Sequence, residues 1–387
     1  MGGHSTSGRD HTIAMVAGEA SGDFLGASLI AQLKLRLPKA SFVGIGGPKM
    51  EALGFESWYP MERLSVRGYA EVLRHYPGIT AMRRSLFRRL ASIRPSIFIG
   101  VDAPDFNLAL ERRLKRESIK TVQYVGPSIW AWRGGRIRGI GESVNRVLVL
   151  FPFEEDIYRK AGIHATYVGH PMADLVPEAD QTATAREQLQ IPPGRTVIAL
   201  LPGSRQSELK YMADTFIRTA MLIDLQRPGG RFLVPMVSRE TRDLFEQRLY
   251  ALGAESLPLT ILFGHSREAI AASNVVLVAS GTATLETALY RKPMVIAYRM
   301  AASSWTLMSR MRYQDWVGLP NIVAGRFIVP ELLQDEATPE NLAQAVLNEL
   351  GDGIVRTRLQ AEFADIHRRL RCNAATRAAD AVLECLA

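Results

Sequence analysis

Thr12-Ile-Ala-Met-Val-Ala-Gly-Glu-Ala-Ser-Gly-Asp23, running into the helical-length segment Phe24 to Leu37, decides the fold. Its opening residues are apolar or β-branched without polar alternation, as a strand buried on both faces must be, and a small-residue loop then leads into a helix. The unit recurs. Ser41-Phe-Val-Gly-Ile45, Ser96-Ile-Phe-Ile-Gly-Val101, Thr121-Val-Gln-Tyr-Val125 and Arg146-Val-Leu-Val-Leu150 read as further buried strands in the first half. Thr196-Val-Ile-Ala-Leu-Leu201, Arg231-Phe-Leu-Val-Pro235, Leu259-Thr-Ile-Leu262, Asn274-Val-Val-Leu-Val278 and Pro293-Met-Val-Ile-Ala297 restart the pattern in the second. Apolar strands separated by helices predict doubly wound parallel sheets covered on both faces.

At 387 residues the chain exceeds one ordinary core, so two α/β domains with a cleft are expected. The polar stretch Pro177-Glu-Ala-Asp-Gln-Thr-Ala-Thr184 marks the join. This gives a first domain over 1–180, a second over 181–360, and a helical tail over 361–387 that could pack back on the first. The N-terminus lacks a signal-peptide pattern, and no stretch is apolar for the ~18 residues a membrane span needs. With Cys372 and Cys385 spaced for neither zinc nor a disulfide framework, a reducing, cytoplasmic setting is expected. Net charge is +8, and residues 63–138 carry sixteen Lys/Arg against five Asp/Glu, leaving the rest slightly acidic. Such a surface attracts nucleic acid, anionic lipid or a phosphorylated substrate. No nucleic-acid-binding motif or stacking platform accompanies it, which disfavours the first.

In open α/β sheets, ligands bind beyond the carboxyl ends of the strands. Ala17 to Asp23 lies there, where Gly18 allows close backbone approach and a helix N-terminus offers free N–H groups. The alternative is a tight turn capped by Ser21 or Asp23. Asp102-Ala-Pro-Asp-Phe-Asn107 follows another strand. Asp102 is the candidate general base, while Asp105 suits a helix N-cap. Leu200-Leu-Pro-Gly-Ser-Arg205 sets Ser204 and Arg205 at a strand end, where a guanidinium fork fits a diphosphate, although a surface ion pair would also explain it. Ala279-Ser-Gly-Thr-Ala-Thr-Leu-Glu286 brings Gly281 and Thr282 to a helix N-terminus. Glu286, one turn in, is placed either for ribose hydroxyls or simply to stabilise the helix dipole. With no D-x-D and no cluster at metal-ligand spacing, neither a metal nor another cofactor is expected.

Residues 72–93 place Ile79, Met82, Leu86, Phe87, Leu90 and Ile93 at helical spacing among arginines, as a membrane-surface helix would. Ser128-Ile-Trp-Ala-Trp-Arg133 and the segment Trp305 to Trp316 add aromatic and basic residues of interfacial type. The alternative is a basic face on a helix packed against its own sheet.

These loops together resemble the lipid-A-disaccharide synthases, bacterial glycosyltransferases of the GT-B superfamily. The resemblance rests on Val16–Asp23, Asp102–Asn107, Pro127-Ser-Ile-Trp-Ala-Trp-Arg133, Val168-Gly-His-Pro-Met-Ala-Asp174, Leu200–Arg205, Ala279–Glu286 and Leu319-Pro-Asn-Ile-Val-Ala-Gly325, nearly end to end. It implies two Rossmann-like domains facing a central cleft. It also implies an inverting condensation of UDP-2,3-diacylglucosamine with 2,3-diacylglucosamine 1-phosphate, giving the β-1,6-linked lipid A disaccharide 1-phosphate and UDP without a metal. Asp102 matches the family's catalytic aspartate, Arg205 its phosphate-site arginine, and Glu286 and Asn321 other polar residues of its site. Ser21, Trp130, Trp132 and Arg133 fall where acceptor or lipid would lie. The expected place is the cytoplasmic face of the inner membrane, with a homodimer left open. The rivals are another GT-B enzyme acting on a UDP-N-acetylglucosamine-type sugar (a 2-epimerase or a transferase to a polyprenyl-linked acceptor), a nucleic-acid-binding protein and a non-catalytic lipid carrier.

Overall fold

The computed structural model describes residues 11–64, 69–130, 134–302, 305–306, 315–351 and 353–387. They divide into two compact units, Met1–Asp174 with Leu370–Ala387, and Leu175–Arg369.

The first unit holds β1 (Thr12–Ala17), β2 (Ser41–Ile45), β3 (Phe55–Ser57), β4 (Ile97–Val101), β5 (Lys120–Tyr124), β6 (Arg146–Val149) and β7 (Ala165–Tyr167). They form one sheet in the order β3-β2-β1-β4-β5-β6-β7, every neighbouring pair parallel. Its helices are α1 (Ala20–Arg36), α2 (Pro48–Glu51), α3 (Tyr69–Ile93), α4 (Pro104–Arg116), α5 (Ile137–Ser143), α6 (Pro152–Lys160) and α7 (Pro171–Leu175), the last ending across the boundary. Ile13 and Met15 of β1 pack on the face covered by α1, and Ala14 and Val16 on the face covered by α3 and α4. All four are fully buried, which is why the strand shows no polar alternation. The C-terminal helix Ala374–Leu386 inserts Ala378, Ala379 and Val382 beside α1.

The apolar stripe of α3 belongs to this core. Met82, Leu86 and Leu90 are buried with Phe98 and Phe106, and Ile79 and Phe87 pack partly against them. A face fit for lipid on sequence grounds is therefore turned inward, and the alternative of a helix packed on its own sheet describes it. Arg113 lies over the Phe87 ring and Arg89 over Trp58, each at 3.8 Å, while Arg84, Arg88 and Arg94 are exposed. The basic character stays outside even though the apolar stripe does not. Among the described residues no helix is long and apolar enough to cross a membrane.

The second unit holds β8 (Val197–Leu201), β9 (Arg231–Met236), β10 (Leu259–Phe263), β11 (Val275–Ala279), β12 (Met294–Tyr298) and β13 (Glu331–Leu333), in the order β10-β9-β8-β11-β12-β13 and again parallel throughout. Its helices include α8 (Thr182–Gln188), α9 (Gln206–Gln226), α10 (Arg239–Ala251), α11 (Ser266–Ala272) and α12 (Thr282–Leu289). Phe216, Ile217 and Ala220 of α9 meet Ile198, Leu200 and Leu277 on one face, and α8 and α11 cover Val197 and Leu233 on the other. All ten strands expected from the sequence form. The three it did not show, β3, β7 and β13, have three residues each and lie at sheet edges, too short to display a period.

Trp130 is a core residue of the first unit. Its ring meets Phe153 edge-on at 5.4 Å and Phe151 at 6.2 Å, and its Nε1 donates to Glu154 Oε1 at 3.1 Å. This placement corrects an interfacial reading, because the indole N–H and face are both spent inside the protein. Glu154 Oε2 also accepts from the backbone N–H groups of Leu150 and Phe151, closing the start of α6. Burial raises its carboxyl to about 7 against the opposing pull of those bonds, and burial lowers the neighbouring His170 imidazole to about 4. Unfolding returns the two to about 4.3 and about 6.5. The stability Glu154 contributes is thus fully present at low pH and lost as pH rises towards 7, whereas that of His170 is present above about 6.5 and lost as pH falls towards 4. The two slopes oppose one another between about pH 4.5 and 6.5. Urea denaturation across that window should show the Glu154→Gln variant losing stability on acidification more steeply than the native chain; parallel curves would contradict the buried carboxyl.

Candidate functional site

In both sheets the strand order reverses between two central strands, β1 and β4 in the first unit and β8 and β11 in the second. The loops leaving those four strands carry most of the residues singled out from the sequence.

In the first unit, Gly18 leaves β1 so close to the β4 loop that a Cβ there would lie 2.8 Å from the Ala103 Cβ. Glycine is required by that contact. Asp102 and Ala103 both adopt left-handed backbone, with φ of 54° and 42°, which non-glycine residues hold only under external constraint. The constraint is visible: the Asp102 N–H donates to Tyr124 O at 2.8 Å, and its carbonyl accepts from Asn107 Nδ2 at 2.8 Å and Gln123 Nε2 at 3.0 Å. Asp102 is half-buried at the carboxyl end of β4. The turn aims one carboxylate from a fixed backbone.

Neighbouring carboxylates do other work. Asp105 sits in the first turn of α4 and pairs with Arg136, and the N-cap position falls to Ala103 with no side-chain bond, so the expected cap does not form. Asp23 is buried and accepts the N–H groups of Gly47, Lys49 and Met50, each at 3.0 Å. It closes α2 and leaves α1, which begins at Ala20, without a side-chain cap. Ser21 is exposed in the first turn of α1. Trp132 and Arg133 lie outside the described residues, as do Met308, Arg310, Met311 and Arg312.

In the second unit, Gly203 has φ 130°, and a Cβ there would meet the Glu208 side chain at 2.7 Å. Glu208 Oε2 accepts from the backbone N–H groups of Ser204 at 2.9 Å and Arg205 at 3.2 Å, capping α9. Those two N–H groups are occupied. The Arg205 side chain is 59% exposed, and its guanidinium, 3.6 Å from Glu208 Oε1, is suited to an anion. Beside β8, Gly281 has φ 156° with open space where a side chain would be, and both it and Thr282 are exposed at the start of α12. Ser280 Oγ donates to Val317 O at 3.1 Å, and Leu319 N donates to Thr284 Oγ1 at 3.3 Å, tying the 317–319 turn to this helix start.

Asn321 is fully buried. Its Oδ1 accepts from Ile328 N at 2.7 Å and Val329 N at 3.0 Å, and its Nδ2 donates to Val329 O at 2.9 Å and Glu331 Oε1 at 2.7 Å. Glu331 in turn accepts from Val317 N and Gly318 N, both at 2.9 Å. In this structure every bond of Asn321 goes to protein, and its part is to hold that turn.

Glu286, with its side chain 12% exposed, accepts from Arg267 Nε at 3.1 Å and Ser266 Oγ at 3.4 Å. Sequence reasoning missed this arginine and serine. The signal was available, since both follow β10 as the other site loops follow their strands.

A family model described as lipid-A-disaccharide synthetase matches residues 13–382. The lipid-A-disaccharide synthase of Methylobacillus flagellatus is 54% identical over 372 residues, covering 96% of this chain and 98% of its own. Among solved structures, the UDP-GlcNAc 2-epimerase of Neisseria meningitidis bound to UDP-GlcNAc superposes with TM-score 0.65 at 13% identity, covering 96% of this chain and all of its own. MurG of Acinetobacter baumannii does so with TM-score 0.57 at 16% identity over 97% of this chain and 100% of its own. At such identities the structures speak for the GT-B fold alone, whereas the sequence matches run nearly end to end. The chain therefore belongs to the lipid-A-disaccharide synthetase family and is a glycosyltransferase of lipid A biosynthesis.

Proposed function

We propose that the enzyme condenses UDP-2,3-diacylglucosamine with 2,3-diacylglucosamine 1-phosphate, forming the β-1,6-linked disaccharide 1-phosphate and releasing UDP. The observation that carries this reading is the pair of switch-point sites, one presenting a carboxylate on a constrained backbone turn and the other an exposed guanidinium beside an open helix start. Asp102 takes the proton of the acceptor 6-hydroxyl while that oxygen attacks the anomeric carbon from the side opposite UDP. One displacement turns an α-linked donor into a β-linked product, so no covalent sugar–enzyme intermediate is required. Arg205 and the first N–H groups of α12 take up the charge that gathers on the departing diphosphate, and Glu286 receives ribose hydroxyls from its seat beside Arg267. UDP-GlcNAc in the epimerase of the same fold is a ligand of the corresponding chemical class. With cationic and N–H groups in this role, the transfer proceeds without a divalent metal.

Acylated anionic sugars reside at a membrane surface, and the exposed arginines of α3 suit anionic headgroups. Electrostatics therefore carries the proposed association with the inner membrane's cytoplasmic face, because the apolar stripe of the helix is in the core.

Mass spectrometry of reactions in detergent with EDTA should show disaccharide and UDP from the native protein and none from Asp102→Ala, with UDP affinity kept in the variant. Product from Asp102→Ala at the native rate would remove Asp102 from the chemistry, and dependence on added magnesium would remove the metal-free reading. Arg205→Ala should weaken UDP binding about 10-fold or more, the worth of a charge-assisted phosphate contact. Binding unchanged in a calorimetric titration would place the diphosphate elsewhere. Replacing Arg84, Arg88 and Arg94 together by Ala should weaken binding to anionic vesicles by on the order of 100-fold, at about 1 kcal/mol per charge. Sedimentation equal to that of the native chain would move the membrane contact off α3 and the residue that follows it.

A further inference from the structure

Beneath the Asp102 turn lie four buried oxygens without a partner at hydrogen-bonding geometry: Asn107 Oδ1, Gln123 Oε1 and both carboxylate oxygens of Glu111. All three side chains are fully buried. Asn107 and Glu111 stand four residues apart on one face of α4, and Gln123 reaches them from β5. They converge on Gly100. A Cβ at that position would lie 2.5 Å from Glu111 Oε1, 2.6 Å from Gln123 Oε1 and 2.8 Å from the Asn107 Cβ, so glycine makes the space in which the three groups meet.

The amide orientations are settled by their donors. Gln123 Nε2 gives hydrogen bonds to Asp102 O and Val125 O, both at 3.0 Å, and Asn107 Nδ2 gives them to Asp102 O at 2.8 Å and Val16 O at 3.3 Å. Flipping either amide would set an oxygen against those carbonyls. Gln123 Oε1 therefore points into the space beside Gly100 that Glu111 Oε1 also enters, and two buried acceptors brought together repel unless one carries a proton.

We propose that Glu111 is a positioning residue for glycosyl transfer, its carboxyl O–H donating to the Gln123 amide oxygen and so locking the two amides that hold the Asp102 carbonyl. The proposal rests on Asp102 being the base. The protonated state it needs agrees with burial, which pushes the Glu111 carboxyl well above the usual carboxylate range, an effect that the nearby Gly100 N–H offsets only in part. The chain of consequence is short. Without a donor on Glu111 the Gln123 amide is held at its Nε2 end alone and is free to tilt about the carbonyls it serves. Its bond to Asp102 O then loosens, and the left-handed turn that carries the carboxylate relaxes. Small displacements of a reacting group slow chemistry far more than they weaken binding.

The test compares Glu111→Gln, which keeps a donor at this position, with Glu111→Met, which fills similar volume without one. Glu111→Gln should keep kcat within about threefold of native, while Glu111→Met should lose about tenfold or more in kcat at unchanged donor KM. The melting temperature of Glu111→Met should fall by a few degrees, because the Gln123 amide oxygen is left buried without a donor, so kcat is compared at a temperature where every variant is fully folded. Equal kcat in native and Met variants, or equal losses in both variants, would overturn the proposal; so would an equal kcat loss in a control variant destabilised to the same extent in the core of the second unit, Val346→Ala. Infrared difference spectra of native against Glu111→Gln protein should contain the C=O stretch of a protonated carboxylic acid at neutral pH. A carboxylate band in its place would overturn the proposal whatever the kinetics. A native chain that makes no disaccharide would instead defeat the functional reading, while the infrared band still tests the Glu111 hydrogen bond.

Discussion

The reversal of strand order at the centre of each sheet is the constraint on which the rest depends. Parallel crossovers are right-handed, so a strand that leads outward to one edge and a neighbour that leads to the other send their helices to opposite faces. Here α1 leaves β1 for one face while α4 leaves β4 for the other, and the two loops part above the strand ends. The second sheet repeats this with α9 after β8, while Tyr290, just past α12, packs on the opposite face. Where the loops separate, backbone groups and helix starts lose the neighbours that would otherwise cover them. That is where a ligand can be met; at their base the first two loops still touch, which is why Gly18 carries no side chain against Ala103, while Gly281 faces open space.

Parting the loops creates a second problem, because backbone that leaves a sheet still needs its polar groups satisfied. Both units solve it with side chains that hydrogen-bond to backbone. In the first, Asn107 and Gln123 hold the Asp102 carbonyl, and Asp23 gathers three N–H groups of the 47–50 turn. In the second, Glu208 closes the start of α9, and Asn321 with Glu331 closes the 317–319 turn beside α12. The left-handed conformation at Asp102 costs on the order of 1–3 kcal/mol, and it persists because these bonds over-determine it.

The sequence carried the architecture through one property, continuous burial. Strands interior on both faces must be apolar throughout, so ten of them could be read directly, while β3, β7 and β13 were too short to register. The loops after β1, β4, β8 and β11 were legible by their position alone. What side chains do inside those loops was not. Asp23 looked like a cap for its own helix and caps another, Asp105 looked like a cap and forms an ion pair, and Trp130 looked interfacial and lies in an aromatic cluster. The amphipathic stripe of α3 was real, but period alone cannot say whether an apolar face meets lipid or a sheet. Each miss concerns a partner distant in sequence, and that is information a local pattern does not contain.

Hydrogen-bond capacity separates residues that build this site from those placed to meet a ligand. Asn321 belongs to a stretch that identifies the family, yet its oxygen takes two backbone N–H groups and its amide reaches two further acceptors. Displacing any of these for a substrate would take a partner from a backbone group or from the Glu331 carboxylate, at about 1–3 kcal/mol. Trp130 is in the same position, with its N–H on Glu154 and its ring against Phe151 and Phe153. Arg205 is not. Five donors sit on its guanidinium, more than half of the side chain is exposed, and it leans on Glu208 at 3.6 Å, beyond a good hydrogen bond. Gly281 and Thr282 likewise lie exposed at the start of a helix whose N-cap has no side-chain bond. A family motif marks positions that the fold or the chemistry constrains, and surplus donors at a strand end show which of those constraints is chemical.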